Sequence, residues 1–340
     1  MRWIIASWIL LSPAVASAAP RVSLELATEK GFPITGSQQW SKLLTDLGIS
    51  NFRIRSATGS DHPVIEQLGD DASPSYRVVG ILTSGNVLVV PGGKFSTRDA
   101  GAIRNWLSNL ADQGEAGVTE RRGAFGLLRK QLAEVHDDLK QPIEFSTRDM
   151  PIAEALAKLE PQLKFPFVID VVAKPELNDV KVEENLSGIS AGTAIAAMLR
   201  PAGLVLSPER PPGGALQYRI AQPVTGREAW PIGWPPEKKP IEVLPDLYEF
   251  INVEIRETPV KEAVDAIAER LKVPFLYDRN AMALHEIDLE QVNATVPSKR
   301  STYSLILQKV LLQAKMKPEL RLDEAEKPFY WITSVKPLGK

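Results

Sequence analysis

The sequence lacks cysteine altogether, and it has only three histidines in 340 residues. Without cysteine the chain can form no disulfide, thiol nucleophile, cysteine-ligated zinc site or lipidated membrane anchor. We therefore expect no cofactor and no histidine-rich metal site, and we expect each domain to be stabilised by a hydrophobic core of its own.

The sequence also lacks an excess of either charge, since 40 basic side chains face 42 acidic ones. A net charge of -2 gives no electrostatic reason to expect a nucleic acid or an anionic membrane as partner. Beyond the N-terminal segment, no run of residues is long and apolar enough to span a bilayer. We therefore predict no transmembrane segment after processing.

Residues 1–18 have the pattern of a secretory signal peptide. Arg2 supplies a positive charge, residues 3–11 are almost entirely apolar, and residues 16–18 (Ala-Ser-Ala) are small enough for cleavage. We predict cleavage after Ala18 and a periplasmic or secreted protein. The alternatives are an N-terminal membrane anchor and a buried core helix, and the apolar run is about half of the roughly 20 residues that a spanning helix needs.

One α+β domain, with the character of an α/β sandwich, is predicted over residues 20–116. Residues 22–26 alternate between polar and apolar as in a half-buried strand, and residues 76–90 have the pattern of a hairpin. Ser96 and Asp99 precede an amphipathic helix as a capping pair.

A connecting helix is predicted over residues 119–140, because apolar residues recur there at intervals of three and four. This stripe consists of Phe125, Leu128, Leu132, Val135 and Leu139. Two heptads are too few for a coiled coil, so we expect the helix to pack on its own domain.

Two later segments are similar to each other. Residues 148–152 (Arg-Asp-Met-Pro-Ile) lie 108 positions before residues 256–260 (Arg-Glu-Thr-Pro-Val), and each segment opens an amphipathic helix with a proline. Each helix leads into a strand with Pro-Phe near its start and Asp at its end, over residues 165–170 and 273–278. The shared spacing predicts an internal repeat.

Each repeat is predicted to have the order β-α-β-β-α-β-β, in modules at residues 141–222 and 247–337. The first and third strands and the second helix are predicted at residues 143–146, 180–182 and 191–199 in the first module, and at 252–255, 287–289 and 302–313 in the second. A hairpin closes each module. The predicted fold class is α+β, with an N-terminal α/β sandwich-like domain followed by two tandem modules.

The element order, the proline-opened helix and the strand Pro-Phe-hydrophobic-hydrophobic-Asp resemble the short N-terminal domain of secretins and TonB-dependent receptors. The resemblance covers residues 141–222 and 248–337. It implies modules that work outside the cytoplasm, dock other proteins and catalyse nothing. The chain departs from those families because it carries no long series of amphipathic strands. The role implied is that of an adaptor between envelope proteins.

A proline-rich linker is predicted over residues 223–246, and it contains Trp230 and Trp234. Tryptophans beside prolines can stack on a sugar or on an extended peptide of a partner. They can equally fasten the linker to the adjacent modules. Trp230 and Trp234 are the candidate binding residues in the sequence.

The sequence contains no recognisable catalytic constellation. Residues 92–94 (Gly-Gly-Lys) do not form a phosphate-binding loop, because Phe95 stands where Ser or Thr is required. His62, His136 and His285 have no nucleophile motif around them, and we expect them on loops or solvated helix faces.

We predict an exported, non-catalytic binding or scaffold protein that docks other envelope proteins through its two modules. One alternative is a cell-wall or polysaccharide-binding protein that uses Trp230 and Trp234. A second alternative is a secreted enzyme with its site in residues 21–140, where a deep polar cleft would hold a titratable residue with a shifted pKa. The identity of the partner or ligand stays open.

Overall fold

The computed structural model describes residues 22–69 and 74–336. The predicted signal peptide and its cleavage site at Ala18 lie outside the described residues. The chain is of the α+β class, and it divides after Arg121 into two compact units, the N-terminal unit and the C-terminal unit. Within the described ranges, no helix combines the length and the apolar character needed to cross a membrane.

The N-terminal unit is built around one mixed sheet. Its described elements are β1 (Val22–Thr28), α1 (Gly36–Asp46), β2 (Phe52–Ser56), β3 (Val64–Leu68), β4 (Ser75–Leu82), β5 (Leu88–Val90), β6 (Gly93–Phe95), α2 (Ala100–Gln113) and α3 (Ala116–Thr119). The sheet order is β2-β1-β4-β5-β6, with β3 as a branch on β4. β1 pairs in parallel with β2 and β4, and the other pairs are antiparallel.

The core of this unit lies between the sheet and two helices. Trp40 of α1 and Trp106 of α2 belong to one buried cluster with side chains of β1 and β4. The Asp99 carboxylate accepts hydrogen bonds from the backbone N–H and the hydroxyl of Ser96, at 2.7 and 2.8 Å, just before α2 begins. The hairpin at residues 76–90 is present as β4 and β5.

The C-terminal unit contains two modules with a similar order of helices and strands. They are module 1 (residues 141–222) and module 2 (residues 247–336), and the linker (residues 223–246) joins them. Module 1 follows α4 (Arg129–Leu139) and contains α5 (Ile152–Leu159), β7 (Phe167–Ile169), α6 (Lys174–Asp179), α7 (Ala191–Leu199), β8 (Val205–Glu209) and β9 (Gln217–Ala221). The linker contains α8 (Pro240–Val243). Module 2 contains β10 (Phe250–Pro259), α9 (Val260–Leu271), β11 (Phe275–Tyr277), α10 (Arg279–Leu284), β12 (Asn293–Thr302), α11 (Tyr303–Gln313), β13 (Met316–Leu322) and β14 (Pro328–Ser334).

Module 2 has two sheets, which share one core with α9 and α11. The first sheet pairs β10 with β12, and the second has the order β11-β14-β13. The prediction of a strand at residues 287–289 is wrong, because the strand runs from Asn293 to Thr302. Ile287 and Leu289, whose alternation suggested a strand, lie in an irregular segment after α10 where Leu289 is buried.

Module 1 has the corresponding three-stranded sheet, in the order β7-β9-β8, but the described residues 141–222 form no two-stranded sheet. The strands predicted at 143–146 and 180–182 are therefore wrong. Their segments run side by side through isolated backbone bridges. Between the bridges, the buried hydroxyl of Thr147 donates to the carbonyl of Glu184 at 2.8 Å and accepts from the N–H of Leu186 at 3.0 Å. The Thr147 side chain thus makes hydrogen bonds that the backbone of a paired strand would otherwise make.

The connecting helix predicted over residues 119–140 is shorter than expected and begins at Arg129. The residues before it include one short helical turn at Ala124–Gly126. Phe125 and Gly126 have φ angles of 58° and 66°, which an α-helix does not allow. The apolar spacing therefore extends beyond the N-terminal end of the helix itself.

The two modules share a hydrophobic core. Leu276, Phe329 and Trp331 of module 2 belong to the buried cluster of module 1, which includes α7. Eight of the nine residues of α7 are buried. Beside this core Arg200 forms a two-pronged ion pair with Asp278, through Nε–Oδ1 and Nη2–Oδ2 distances of 2.9 and 3.1 Å. The modules of the C-terminal unit therefore pack as one body.

Candidate functional site

The linker pairs with the outer strand of each module. The backbone N–H of Trp230 donates to the carbonyl of Leu206 in β8 at 2.7 Å. Trp234 and Leu322 of β13 exchange two backbone hydrogen bonds, of 2.9 and 2.8 Å. Because β8 and β13 are the last strands of their sheets, the linker is held against both modules at once.

The ring of Trp230 is enclosed, with 5% of the residue exposed. It stacks on Phe125 at a centroid distance of 5.6 Å, and it stands perpendicular to Trp234 at 5.5 Å. Its indole N–H donates to the carboxylate of Glu324 at 2.6 Å. Trp230 therefore fastens the linker to the modules and offers a ligand little free surface.

Glu324 is the buried centre of this contact. Its carboxylate also accepts a hydrogen bond from the Thr193 hydroxyl at 2.9 Å, at the start of α7. Burial raises the pKa of Glu324 to about 7, although the hydrogen bonds from Trp230 and Thr193 act in the opposite direction. The neighbouring Asp323 accepts a hydrogen bond from the backbone N–H of Ser190 at 3.1 Å, so the turn between β13 and β14 contacts the N-terminal end of α7.

Gly192 permits this close approach. A Cβ atom at position 192 would lie 2.1 Å from Oε1 of Glu324 and 2.6 Å from Nε1 of Trp230. Either distance is far below van der Waals contact, and both neighbours are buried. Any side chain at this position would therefore displace the turn or the linker.

An open cleft of about 1150 Å³ borders the linker, and we call it the aromatic cleft. Phe125, His136 and Trp234 line it, and all three are partly exposed. The ring of His136 lies 5.7 Å from that of Trp234. This volume exceeds the usual range for a small ligand and leaves room for several residues of an extended chain.

The rim of the aromatic cleft is acidic. Among its described lining residues are four exposed carboxylates and one ammonium group, those of Glu228, Glu237, Glu242, Glu326 and Lys238. Clefts with low-dielectric walls concentrate the field of the charges that line them. The cleft therefore favours a cationic ligand over an anionic one.

Phe125 is held in a strained conformation, with a φ of 58° that residues other than glycine rarely adopt. Its backbone N–H donates to the carboxylate of Glu228, and its ring rests on Trp230. Strain of this kind costs about 1–3 kcal/mol and persists only where the surroundings enforce it. The position of this ring is therefore set by its surroundings before any ligand arrives.

The other residues that the sequence singled out lie away from this cleft. Gly92 lies in the turn between β5 and β6, and Gly93 begins β6. His62 lies in a loop, with its Nδ1 atom 3.1 Å from the carbonyl oxygen of Ser60. His285 caps the C-terminal end of α10. Of the three histidines, His136 alone lines the cleft.

In the N-terminal unit, ion pairs shift the pKa values of surface carboxylates. The Arg55 guanidinium holds the pKa of Asp61 well below its usual range. Hydrogen bonds from Arg55 and Arg77 lower the pKa of Glu25. These carboxylates are ionised and paired, which differs from a buried acid poised for proton transfer near neutral pH.

Sequence reasoning identified the two tryptophans, but it missed Phe125 and Glu324 as their partners. Trp230 and Glu324 are separated by 94 positions. The only local sign of an interrupted helix beside Phe125 was the glycine at position 126. The helical spacing of the surrounding apolar residues concealed it.

Within residues 22–69 and 74–336, no three His, Cys, Asp or Glu side chains are grouped as in a metal site. No protein-family model matches the chain, and neither a curated protein nor a solved structure matches it. Any functional assignment therefore rests on the geometry of the aromatic cleft and its surroundings.

Proposed function

We propose that this chain is an exported, non-catalytic binding protein that holds an extended segment of a partner protein in the aromatic cleft. The observation that carries the proposal is that two aromatic rings lining the cleft, those of Phe125 and Trp234, are held in place before a ligand binds. Phe125 is held by its hydrogen bond to Glu228 and by stacking on Trp230, and Trp234 is held by its backbone pairing with β13. Because few groups of this chain need to be ordered on binding, little affinity is lost to entropy on its side.

The chemistry of the cleft favours a basic, proline-containing segment. Aromatic grooves bind such segments in the extended polyproline conformation, which is already ordered before binding. The four carboxylates of the rim favour Lys or Arg at its flanks. A guanidinium or ammonium group over the ring of Trp234 would add a cation–π interaction.

Two further features support a scaffold that works outside the cytoplasm. The predicted signal peptide would export the chain, and the two modules resemble docking domains of envelope proteins. Their common core means that a segment bound at the linker has one orientation relative to both modules. Such an arrangement suits an adaptor between envelope proteins.

Anisotropy of fluorescently labelled peptides, measured with the full chain, tests this proposal. A peptide of alternating proline and lysine is expected to bind more tightly than one of alternating proline and glutamate. Trp234→Ala removes a stacking surface, so we expect about tenfold weaker binding, equal to 1.4 kcal/mol. Phe250→Ala is the matched control, because Phe250 is a 65% exposed aromatic residue that does not line the cleft.

Two outcomes would contradict the proposal. One is that no peptide of either charge binds. The other is that Trp234→Ala and Phe250→Ala bind the basic peptide equally well. The paired change Glu237→Gln and Glu242→Gln isolates the charge, and it is expected to weaken binding mainly at low salt.

A polysaccharide is the second candidate ligand, and the partly exposed ring of Trp234 is the observation that favours it. Sugar rings stack on tryptophan faces, but a neutral sugar gains nothing from an acidic rim. Sedimentation with purified cell-wall glycan separates the two candidates. Binding that is lost in Trp234→Ala but unchanged in the Glu237→Gln, Glu242→Gln variant would favour the glycan.

A further inference from the structure

The contact between the modules uses one surface of module 2 and a different surface of module 1. We call residues at equivalent positions of the two modules counterparts. The surface of module 2 that contacts module 1 has a counterpart on module 1, and the surface of module 1 that contacts module 2 has a counterpart on module 2. Neither counterpart takes part in the contact. Counterparts are 108 positions apart in the first half of the modules, as the starts of β7 and β11 are. They are 112 positions apart in the second half, as the starts of α7 and α11 are.

Module 2 contacts module 1 through β11, α10, β14 and the turn before β14. Leu276 is buried in the core of module 1. The side-chain amide of Asn280 donates to the backbone carbonyl of Arg200 at 2.8 Å, and Arg279 forms an ion pair with Glu184 at 2.7 Å. These three residues of module 2 mark the part of the contact surface that β11 and α10 supply.

Their counterparts in module 1 are Val168, Val171 and Val172. They are 39%, 80% and 63% exposed, respectively. Module 1 thus presents apolar side chains to solvent at the positions through which module 2 is bound. We call these three residues the valine surface.

Module 1 receives module 2 on α7 and on the turn that follows it. Thr193 and Arg200 each bind a carboxylate of module 2 there. Their counterparts in module 2 are Leu305 and Leu312, which are 50% and 61% exposed. Residues seven positions apart lie on one side of a helix, so these two leucines form a single stripe, the leucine surface.

The valine and leucine surfaces match each other in chemistry. Where the internal contact is polar on both sides, as between Asn280 and Arg200, the counterparts are apolar on both sides, namely Val172 and Leu312. A contact between the two exposed surfaces would bury apolar groups from each side, and none of the five residues that define these surfaces carries a charge.

The aspartate that is buried in the contact between the modules and its counterpart in module 1 are each paired with an arginine. Asp278 obtains its arginine from the other module, in the form of Arg200. Its counterpart Asp170 obtains one within module 1, because Arg219 lies 2.9 Å away. A body that docks on the valine surface therefore does not need to supply a cation.

We propose that the valine surface of one copy of this chain docks on the leucine surface of a second copy, head to tail. The internal contact already joins surfaces in this relation, which is why a second copy is the expected occupant. Such a contact is heterologous, so each added copy leaves one surface of each kind free, and growth continues until a ring closes. None of these five residues lines the aromatic cleft, so self-association is separate from the proposed function.

The mass of the full chain in solution, measured by light scattering over a range of concentrations, tests this proposal. We expect the mass of the wild-type chain to rise with concentration beyond that of a dimer. Val171→Glu and Leu312→Glu each place a charge on one surface, and each is expected to prevent the rise. Ile34→Glu is the control, because Ile34 is 97% exposed and belongs to neither surface.

An equimolar mixture of Val171→Glu and Leu312→Glu tests the head-to-tail arrangement. The first variant keeps its leucine surface and the second keeps its valine surface, so the mixture is expected to form dimers and nothing larger. A wild-type chain that stays monomeric at every concentration would overturn the proposal. So would association of either single variant, or an associating wild type whose mixed variants stay monomeric.

Discussion

Module 1 and module 2 each pack helices on a three-stranded sheet, yet within the described residues only module 2 adds a two-stranded ladder. Ile255 of module 2 pairs with Val296 in that ladder. The corresponding residue of module 1 is Thr147, whose buried hydroxyl bonds two backbone groups. The difference shows that one buried side chain can satisfy backbone groups where strand pairing is interrupted.

The second helices of the two modules differ in a complementary way. α7 is rich in alanine and glycine and is buried almost all round, because the sheet of module 2 packs on the side that its own module leaves open. α11 carries leucines, and two of them are exposed. α7 is thus buried at the contact between the modules, whereas one side of α11 stays exposed.

The largest expected effect comes from a substitution at the start of α7, where this helix is buried against module 2. Gly192→Ala would place a methyl group 2.1 Å from the Glu324 carboxylate, so we expect a loss of about 3 kcal/mol in the free energy of unfolding. Gly101→Ala in α2 is the control, because its Cβ meets nothing within 4 Å and is expected to stabilise by about 0.5–1 kcal/mol. Urea unfolding followed by circular dichroism measures both, and equal midpoints would contradict the contact.

A second effect concerns the pH dependence of the same junction. The pKa of Glu324 is raised from 4.5 to about 7 in the folded chain, so the folded chain holds its proton more tightly than the unfolded chain. The stabilisation linked to this proton is complete below pH 4.5 and is lost as the pH rises through 7. The full difference is about 3 kcal/mol, at 1.4 kcal/mol per pH unit.

Glu324→Gln removes this titration while keeping a side chain of the same size. We expect the stability of the wild-type chain relative to this variant to fall between pH 4.5 and 7, and to change little above that range. Urea unfolding at a series of pH values measures the difference. A difference that stays constant with pH would show that folding does not change the pKa of Glu324.

The smallest effect tests the substitute for the ladder in module 1. Thr147→Val keeps the shape of the side chain but leaves one half-buried carbonyl and one buried N–H without their partner, which costs about 1–2 kcal/mol. Thr258→Val in β10 is the matched control, because its hydroxyl bonds only an exposed carbonyl and is worth less than about 0.5 kcal/mol. Thermal unfolding of the two variants side by side would refute the idea if they melt together.

Local patterns predicted much of this fold correctly. The second helix of module 1 begins and ends where it was predicted, at Ala191 and Leu199, because a regular apolar sequence covers it. The starts of α5 and α9 follow Pro151 and Pro259, since proline suits the beginning of a helix.

Patterns failed where tertiary contacts decide the structure. β12 contains a proline and two exposed charged residues, and its sequence has no clear alternation. Pairing with β10 holds it in place. The candidate site shows the same limit. The prolines and tryptophans of the linker marked its place, but the turn with Asp323 and Glu324 is distant in sequence and has no motif of its own.

The pairing of the linker with β8 and β13 has a consequence for solubility. The last strand of a sheet offers free N–H and C=O groups to any passing strand, and proteins must cover or blunt such edges to avoid aggregation. One short segment, anchored at Trp230 and Trp234, shields an edge in each of the two modules. A single proteolytic cut between the two tryptophans would therefore expose two unpaired strand edges, those of β8 and β13, in one step.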